Sequence, residues 1–479
     1  MLNILLFFPK HWLTEFHKPT QAPFGLMMIS HLLRENGYKI KIFDERLEQN
    51  TEELLKKELK NTDILGISAQ SGPQINNGLK AAKLAKEINP NIKIIWGGVH
   101  TTLLPEQTLK NKYVDIIVYG EGEETFLELI QTIDKNLPLK NIKGIGFKEN
   151  NKIVINERRS LIENLDKIIL RWDLINPRDY IHDFEKKQAI STITSRGCYF
   201  RCSFCYNQSF FGARYFRGFS PKKVLEEIKF LLSQKVQTIK FEDDNFLVDK
   251  NRTKKICDLI KQEKLDFTWS APIRAHYLTE DFTKEITNVG YKYCNIGAES
   301  GSERILKLMK KDTISQHYID AARIAKKYDL STSYHWMLGY PTETQEDINE
   351  TISTINKVEE IYPNSYHILN IFTPYPGTEA YDLAIQHGFK PPQDLENWTK
   401  NFREECSNLS YIQNKELLEN IRLTAILKTL GKRPDWYRPL FRPGIKIFSS
   451  IAKKRWEKQN FNYPYDLKLV KVIKDKYME

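Results

Sequence analysis

The sequence predicts an α/β chain built from two successive parallel βα assemblies and a small, mainly helical tail. Three observations predict it. Short apolar strands alternate with helical stretches over the first part of the chain, the alternation resumes near residue 190, and the last part turns basic and aromatic-rich. At 479 residues the chain exceeds one ordinary core, so two to three domains are expected.

In the first assembly, expected over residues 1–138, strands are read at 4–8, 39–43, 64–68, 93–96 and 115–119. Helices are read between and after them at 25–35, 51–59, 75–88 and 123–133. Five βα units imply a doubly wound, flavodoxin-like parallel sheet, whose ligands bind at the carboxyl ends of the strands. The loops at those ends are rich in small residues: Ser68-Ala69-Gln70-Ser71-Gly72, Gly97-Gly98-Val99-His100 and Gly120-Glu121-Gly122-Glu123. A lone Gly-Gly turn usually only reverses the chain. Three such loops on one edge point to close backbone approach by a bulky ligand, with Ser68, Gly97, Gly98, Gly120, Glu121 and Gly122 as the contacting candidates.

Residues 139–188 read as a connector, with a hairpin around an Asn150-Asn151 turn and a break at Asn176-Pro177. The second assembly is expected over residues 189–392, with strands at 190–195, 238–242, 267–271, 293–297, 332–338 and 366–372 and helices such as 221–233 and 344–361. Six units in this length suit a partial (β/α)6 barrel with its chemistry at the strands' carboxyl ends. Residues 393–479 are expected to be helical and basic. Between Arg422 and Lys458, eleven Lys/Arg face only Asp435 and Glu457, with Trp436, Tyr437, Phe441, Phe448 and Trp456 interleaved. That pattern fits docking helices with a solvated face, or a surface for an anionic substrate or membrane.

Apolar residues make up 41% and charged residues 28%, and no apolar run approaches a membrane span. The apolar start reads as a buried strand, since it lacks a basic leading segment and a cleavage site. A cytoplasmic chain is expected. The net charge of +11 fits either a Lys-rich background or an acidic partner. Of six cysteines, three fall within eight positions, which points to a metal site in a reducing compartment rather than to disulfides.

Those three form Cys198-Tyr199-Phe200-Arg201-Cys202-Ser203-Phe204-Cys205, a C-x3-C-x2-C spacing. Three thiolates on one short loop can hold three irons of a [4Fe–4S] cube and leave the fourth open to substrate. Structural zinc would need a fourth ligand, and no nearby Cys or His supplies it. Cys257, Cys294 and Cys406 are widely spaced and read as small buried hydrophobes.

With this loop the chain resembles the radical SAM superfamily. The resemblance implies that S-adenosylmethionine binds the open iron and is cleaved by one electron to a 5′-deoxyadenosyl radical, with Phe204 packing near the adenine. It also implies roles for the later strand ends. One of Glu242, Asp243 and Asp244 would meet the methionine amine, although the usual Gly-Gly-Glu is absent. Glu299 or Ser300 would bind the ribose. Gly339, in Met337-Leu338-Gly339-Tyr340-Pro341-Thr342-Glu343-Thr344, would lie on the adenine side, and Phe372-Thr373-Pro374-Tyr375-Pro376-Gly377-Thr378 resembles a further landmark. Ser300 and Thr344 could equally be helix caps.

The N-terminal loops 97–106 and 118–126 resemble the subgroup that carries a cobalamin-binding domain before the barrel. The D-x-H-x-x-G segment that supplies a cobalt ligand in many cobalamin proteins is absent; His11, His17 and His100 read as polar loop residues. The resemblance, over residues 1–390, implies a cobalamin-dependent methyltransferase acting on an unactivated carbon. Cyclisation, rearrangement or oxidation, RNA modification, and a non-catalytic electron carrier or scaffold are the alternatives. Expected partners are a small-molecule or peptide substrate and a one-electron reductant such as flavodoxin or ferredoxin, without nucleic acid. Any peripheral membrane contact would fall on the basic C-terminal region.

Overall fold

The computed structural model describes residues 2–11, 19–401, 409–412, 414–432 and 442–462. The first sheet contains β1 (Asn3–Phe8), β2 (Lys39–Asp44), β3 (Ile64–Ser68), β4 (Lys93–Gly97), β5 (Ile116–Val118), β6 (Ile145–Glu149) and β7 (Lys152–Ile155). Its order is β2-β1-β3-β4-β5-β6-β7. The first five strands are parallel, as the βα rhythm predicts. Ile4–Phe7, Ile64–Ile67 and Ile94–Trp96 are buried without interruption because helices cover both faces. Strand order reverses between β1 and β3, and a crevice opens at their carboxyl ends.

The hairpin forms where Asn150-Asn151 predicts it, both residues taking positive φ (50° and 60°) as a tight two-residue turn requires. It is not part of a separate connector. β6 pairs antiparallel with β5, so residues 145–155 extend the first sheet beyond the expected boundary at 138.

The second sheet adds β8 (His182–Phe184) and β9 (Lys187–Thr192). After β10 (Ser195–Gly197) and β11 (Phe216–Gly218) come β12 (Thr238–Phe241), β13 (Thr268–Ile273), β14 (Tyr291–Glu299), β15 (Ser331–Leu338) and β16 (Tyr366–Ile371). The order β16-β15-β14-β13-β12-β9-β8 gives six parallel strands in an open, partial barrel, with β8 as an antiparallel edge that the sequence does not reveal. The first barrel strand stops at Thr192. Ser195–Gly197 leaves the sheet and pairs with Phe216–Gly218 in a two-stranded ribbon. That ribbon carries the cysteine loop.

Beyond the barrel, the chain returns to the first domain. Leu395 and Trp398 join the apolar cluster on one face of the first sheet, and the Trp398 indole N–H donates to Gln107 Oε1 (2.5 Å). The helices Lys415–Lys432 and Arg442–Glu457 then pack together against the barrel's outer side. Trp456 is buried and donates to Asn356 (2.7 Å), and Phe448 packs inward. These two aromatics of the basic stretch therefore serve packing rather than a surface; Trp436, Tyr437 and Phe441 lie outside the described residues. Among the described residues, no helix is long and apolar enough to cross a membrane.

Candidate active site

The cysteine loop is shaped at its root by Gly197, whose φ is +79°; a Cβ there would fall 2.0 Å from the Tyr215 carbonyl oxygen. Only glycine fits that close approach. Cys198, Cys202 and Cys205 follow, all partly buried and free. Asn245 Nδ2 donates to Cys198 Sγ (3.6 Å) and Arg274 Nη1 to Cys202 Sγ (3.5 Å). Burial pushes the Cys205 thiol up to about 12, so its thiolate needs a cationic partner. Among the described residues, no three His, Cys, Asp or Glu side chains converge to chelate a single ion, these cysteines included. Three cysteines on one short loop can each hold a different iron of a cube.

The ribbon is fastened to the first domain by buried charges. Arg217 grips Glu121 with two hydrogen bonds of 2.8 Å, and Arg196 donates to Glu121 (2.8 Å) and to Glu123. The Ile162 N–H also donates to Glu121 (2.8 Å). Burial opposes the Glu121 charge; the Arg217 hydrogen bonds and the Arg196 charge outweigh it and hold the carboxyl below its ordinary range. The Glu121 carboxylate is thus fully engaged. Glu121 also lines the inter-domain cavity, where the sequence expects a ligand contact, with its carboxylate oxygens held by the two arginines.

A cavity of about 370 Å³ opens between the domains. Ser68, Gly97, Gly98, Gly120 and Gly122 line it from the first domain, and Ser195, Phe210 and Asp244 line it from the barrel. Gly98 (φ +96°) packs so tightly that a Cβ would fall 2.9 Å from the Ala69 carbonyl oxygen. His100 lies behind this loop, fully buried, with Nδ1 bonded to Ser71 Oγ (2.8 Å); burial holds it down to about 3, so it is neutral. His17 lies outside the described residues.

The strand-end candidates divide. Asp244 is exposed and accepts from the Gly197 N–H (2.8 Å), beside the cysteines. Asp243 is buried and pins the ribbon, accepting from the Thr194 N–H and Oγ1 (3.0 Å each) and from Ser195 Oγ; burial pushes it up to about 6. Glu242 accepts from Ser191 Oγ (3.1 Å) and pairs with Lys240. Glu299 pairs with the buried Lys311 (2.7 Å), whose ammonium stands 5.7 Å from the Phe204 ring centre. Ser300 is wholly buried against Thr351 and Ser302, so it does not reach an open site; nor does it cap a helix, as Ser302 takes the cap position. Gly339 faces packing too: a Cβ there would fall 2.8 Å from Ile412 Cδ1, and its N–H donates to Glu343 (2.5 Å). Thr344 is a cap, in a capping box with Asp347.

Sequence reasoning missed Arg274. It closes β13, the one inner strand end left unread, and its guanidinium stacks 3.7 Å from the Phe200 ring centre. Its Nε and Nη2 are buried without a partner among the described residues. Strand-end position plus an arginine was the available signal.

Residues 192–355 match the family model of the radical SAM superfamily, and residues 18–130 match that of the B12 binding domain. The chain is 36% identical over 386 residues to the uncharacterized methyltransferase PH0819 of Pyrococcus horikoshii, covering 80% of this chain and 82% of that one. The chain belongs to the radical SAM superfamily. Within it, the B12-binding domain precedes the barrel. The chain is also 25% identical over 452 residues to the anaerobic magnesium-protoporphyrin IX monomethyl ester cyclase of Synechocystis, covering 92% and 88% of the two chains. Its fold is that of the cobalamin-dependent S-adenosylmethionine radical enzyme OxsB, with a TM-score of 0.74 at 17% identity over 99% of this chain and 75% of that one.

Membership implies a [4Fe–4S] cluster and S-adenosylmethionine, and the B12-binding domain implies cobalamin. The residues fit. The radical SAM loop offers three thiols with two donors beside them, Arg274 Nε and Nη2 are buried without a partner among the described residues, and the glycine-lined crevice leaves backbone room for a large ligand.

Proposed function

We propose that this radical SAM protein is a cobalamin-dependent methyltransferase that places a methyl group on an unactivated carbon of a small-molecule or peptide substrate. The observation that carries the proposal is the cavity between the domains, walled on one side by the glycine loops and on the other by Asp244 and the root of the cysteine loop. Such a cavity brings a first-domain cofactor and a barrel-bound radical source to one water-poor space. Bound there, the cluster would supply the electron that splits S-adenosylmethionine, and cobalamin would carry the methyl group.

Each residue then has a stated task. Cys198, Cys202 and Cys205 hold the cluster. Asp244 receives the methionine amine, Arg274 the methionine carboxylate, and Phe204 packs by the adenine. Glu299, oriented by Lys311, stands toward the ribose. Ser68, Gly97, Gly98, Gly120 and Gly122 seat cobalamin. A one-electron carrier such as flavodoxin or ferredoxin serves as reductant, and a reducing cytoplasm suits the free thiols.

The likeness to the cyclase supports a second reading, ring closure. One assay separates the two. After anaerobic reconstitution with iron, sulfide and hydroxocobalamin, methyl transfer yields both 5′-deoxyadenosine and S-adenosylhomocysteine when substrate is present. Ring closure yields 5′-deoxyadenosine without S-adenosylhomocysteine. Reconstituted protein that binds no cobalamin would sink the methyltransferase reading.

A further inference from the structure

The ribbon that carries the cysteine loop has a built-in conflict. Its register sets Arg196 directly opposite Arg217, two buried like charges side by side. Such a pair is destabilising in a sheet, and two strands of three residues do not hold together alone. Glu121 lies between the two guanidiniums and resolves the conflict, with Glu123 as a second acceptor for Arg196.

Glu121 belongs to neither strand. It sits on the first domain, between Gly120 and Gly122, whose backbone lines the inter-domain cavity. One residue thus exposes its flanking backbone to the cavity and sends its carboxylate to the ribbon. From there the path is short: Arg196 and Gly197 lead directly to Cys198. Gly197 is in turn held by Asp244, which lines the same cavity.

We propose that Glu121 is a positioning residue that couples the occupancy of the cavity to the geometry of the three cysteines. The inference rests on the reading above, that cobalamin fills the cavity and a cluster sits on the cysteines. A ligand that shifts the Gly120–Gly122 backbone moves the Glu121 carboxylate, and the ribbon follows because that carboxylate is the acceptor its two arginines share. Linkage makes the effect reciprocal: cobalamin affinity depends on the cluster loop as the cluster's environment depends on cobalamin.

The test uses full-length protein in two states. In the unloaded protein, Glu121→Gln keeps the shape and removes the charge, and hydrogen exchange over residues 195–218 should quicken about tenfold or more, while the core of the second sheet is unchanged. In protein reconstituted with iron and sulfide, the midpoint potential and electron paramagnetic resonance spectrum of the cluster are recorded with and without hydroxocobalamin. The wild type should shift on loading, and Glu121→Gln should bind both groups yet lose the shift. Should Glu121→Gln fail to fold, Arg217→Lys keeps the charge and breaks the two-bond grip, and should lose at least half the shift. A wild type that binds both groups without any shift, or variants that keep the full shift, would overturn the proposal. A wild type that binds no cobalamin or no cluster would overturn the underlying functional reading instead.

Discussion

Arg274 Nη1 stands 3.5 Å from the Sγ of Cys202, while Nε and Nη2 of the same guanidinium are buried with no partner among the described residues. Leaving such groups unmatched costs about 1–3 kcal/mol each, more when charged, and an anion bound there would remove that cost. Arg274→Gln should weaken S-adenosylmethionine binding to the reconstituted protein by about tenfold or more, measured by equilibrium dialysis, because a charge-assisted contact of roughly 1.5–3 kcal/mol is lost. Cluster absorbance should be retained. Unchanged affinity would remove Arg274 from the site.

Replacing Cys198, Cys202 and Cys205 together with Ala should abolish the visible iron–sulfur absorbance after reconstitution. The fold should survive, since the loop lies outside both sheets. Circular dichroism and the absorption spectrum check both halves of this expectation. Retained absorbance would mean the cluster sits elsewhere.

Gly97 and Gly98 are adjacent in sequence but differ in tolerance. A Cβ at Gly97 meets only the Val118 carbonyl oxygen at 3.5 Å, an ordinary contact. At Gly98 it would press on Ala69 and Ser68 from a positive-φ backbone. Gly98→Ala should cost about 1–3 kcal/mol in urea unfolding and reduce cobalamin binding, while Gly97→Ala should stay within about 1 kcal/mol of wild type. Equal costs would show that the loop adjusts.

Burial pushes the Glu343 carboxyl up to about 8, so it is neutral at physiological pH. In the unfolded chain it loses its proton near 4.5. Between these values the folded state holds the extra proton, and its stability falls as pH rises. Glu343→Gln mimics the neutral form. Wild-type urea midpoints should decline from acid to mildly alkaline pH, the variant should lose that part of the slope, and above the folded value the variant should be the more stable. Parallel profiles would show that Glu343 does not titrate in this window.

The sequence made the strands and the cysteine loop legible because short apolar runs and clustered thiols are local signals. It also placed Ser68, Gly97, Gly98, Gly120 and Gly122 at one edge, and the structure brings them to one cavity. What it hid was non-local. Glu121 lines the cavity as its loop suggests, but its grip on Arg196 and Arg217 comes from the barrel and could not be read locally. Asp243 and Asp244 are neighbours, yet one is buried under Thr194 and Ser195 and the other faces out; which side of the strand end each takes depends on the ribbon leaving the sheet. Gly339 and Ser300 were read as open because the segment at Ile412 and the helix bearing Thr351 that cover them come later in the chain. The edge strand β8 and the membership of β6 and β7 in the first sheet likewise depend on pairing, which composition does not encode.

The seating of Trp398 against the first sheet has a consequence for how the protein is made. The strands of that sheet leave the ribosome long before the indole that fills one of its faces exists. Until residue 398 emerges, Gln107 and Asn111 lack the partners that later bind them, and the apolar cluster around Trp96 and Ile75 is incomplete. The domain that begins the chain is therefore finished near the chain's end, and a nascent protein halted within the barrel would present an unclosed greasy face to the cell's chaperones and proteases.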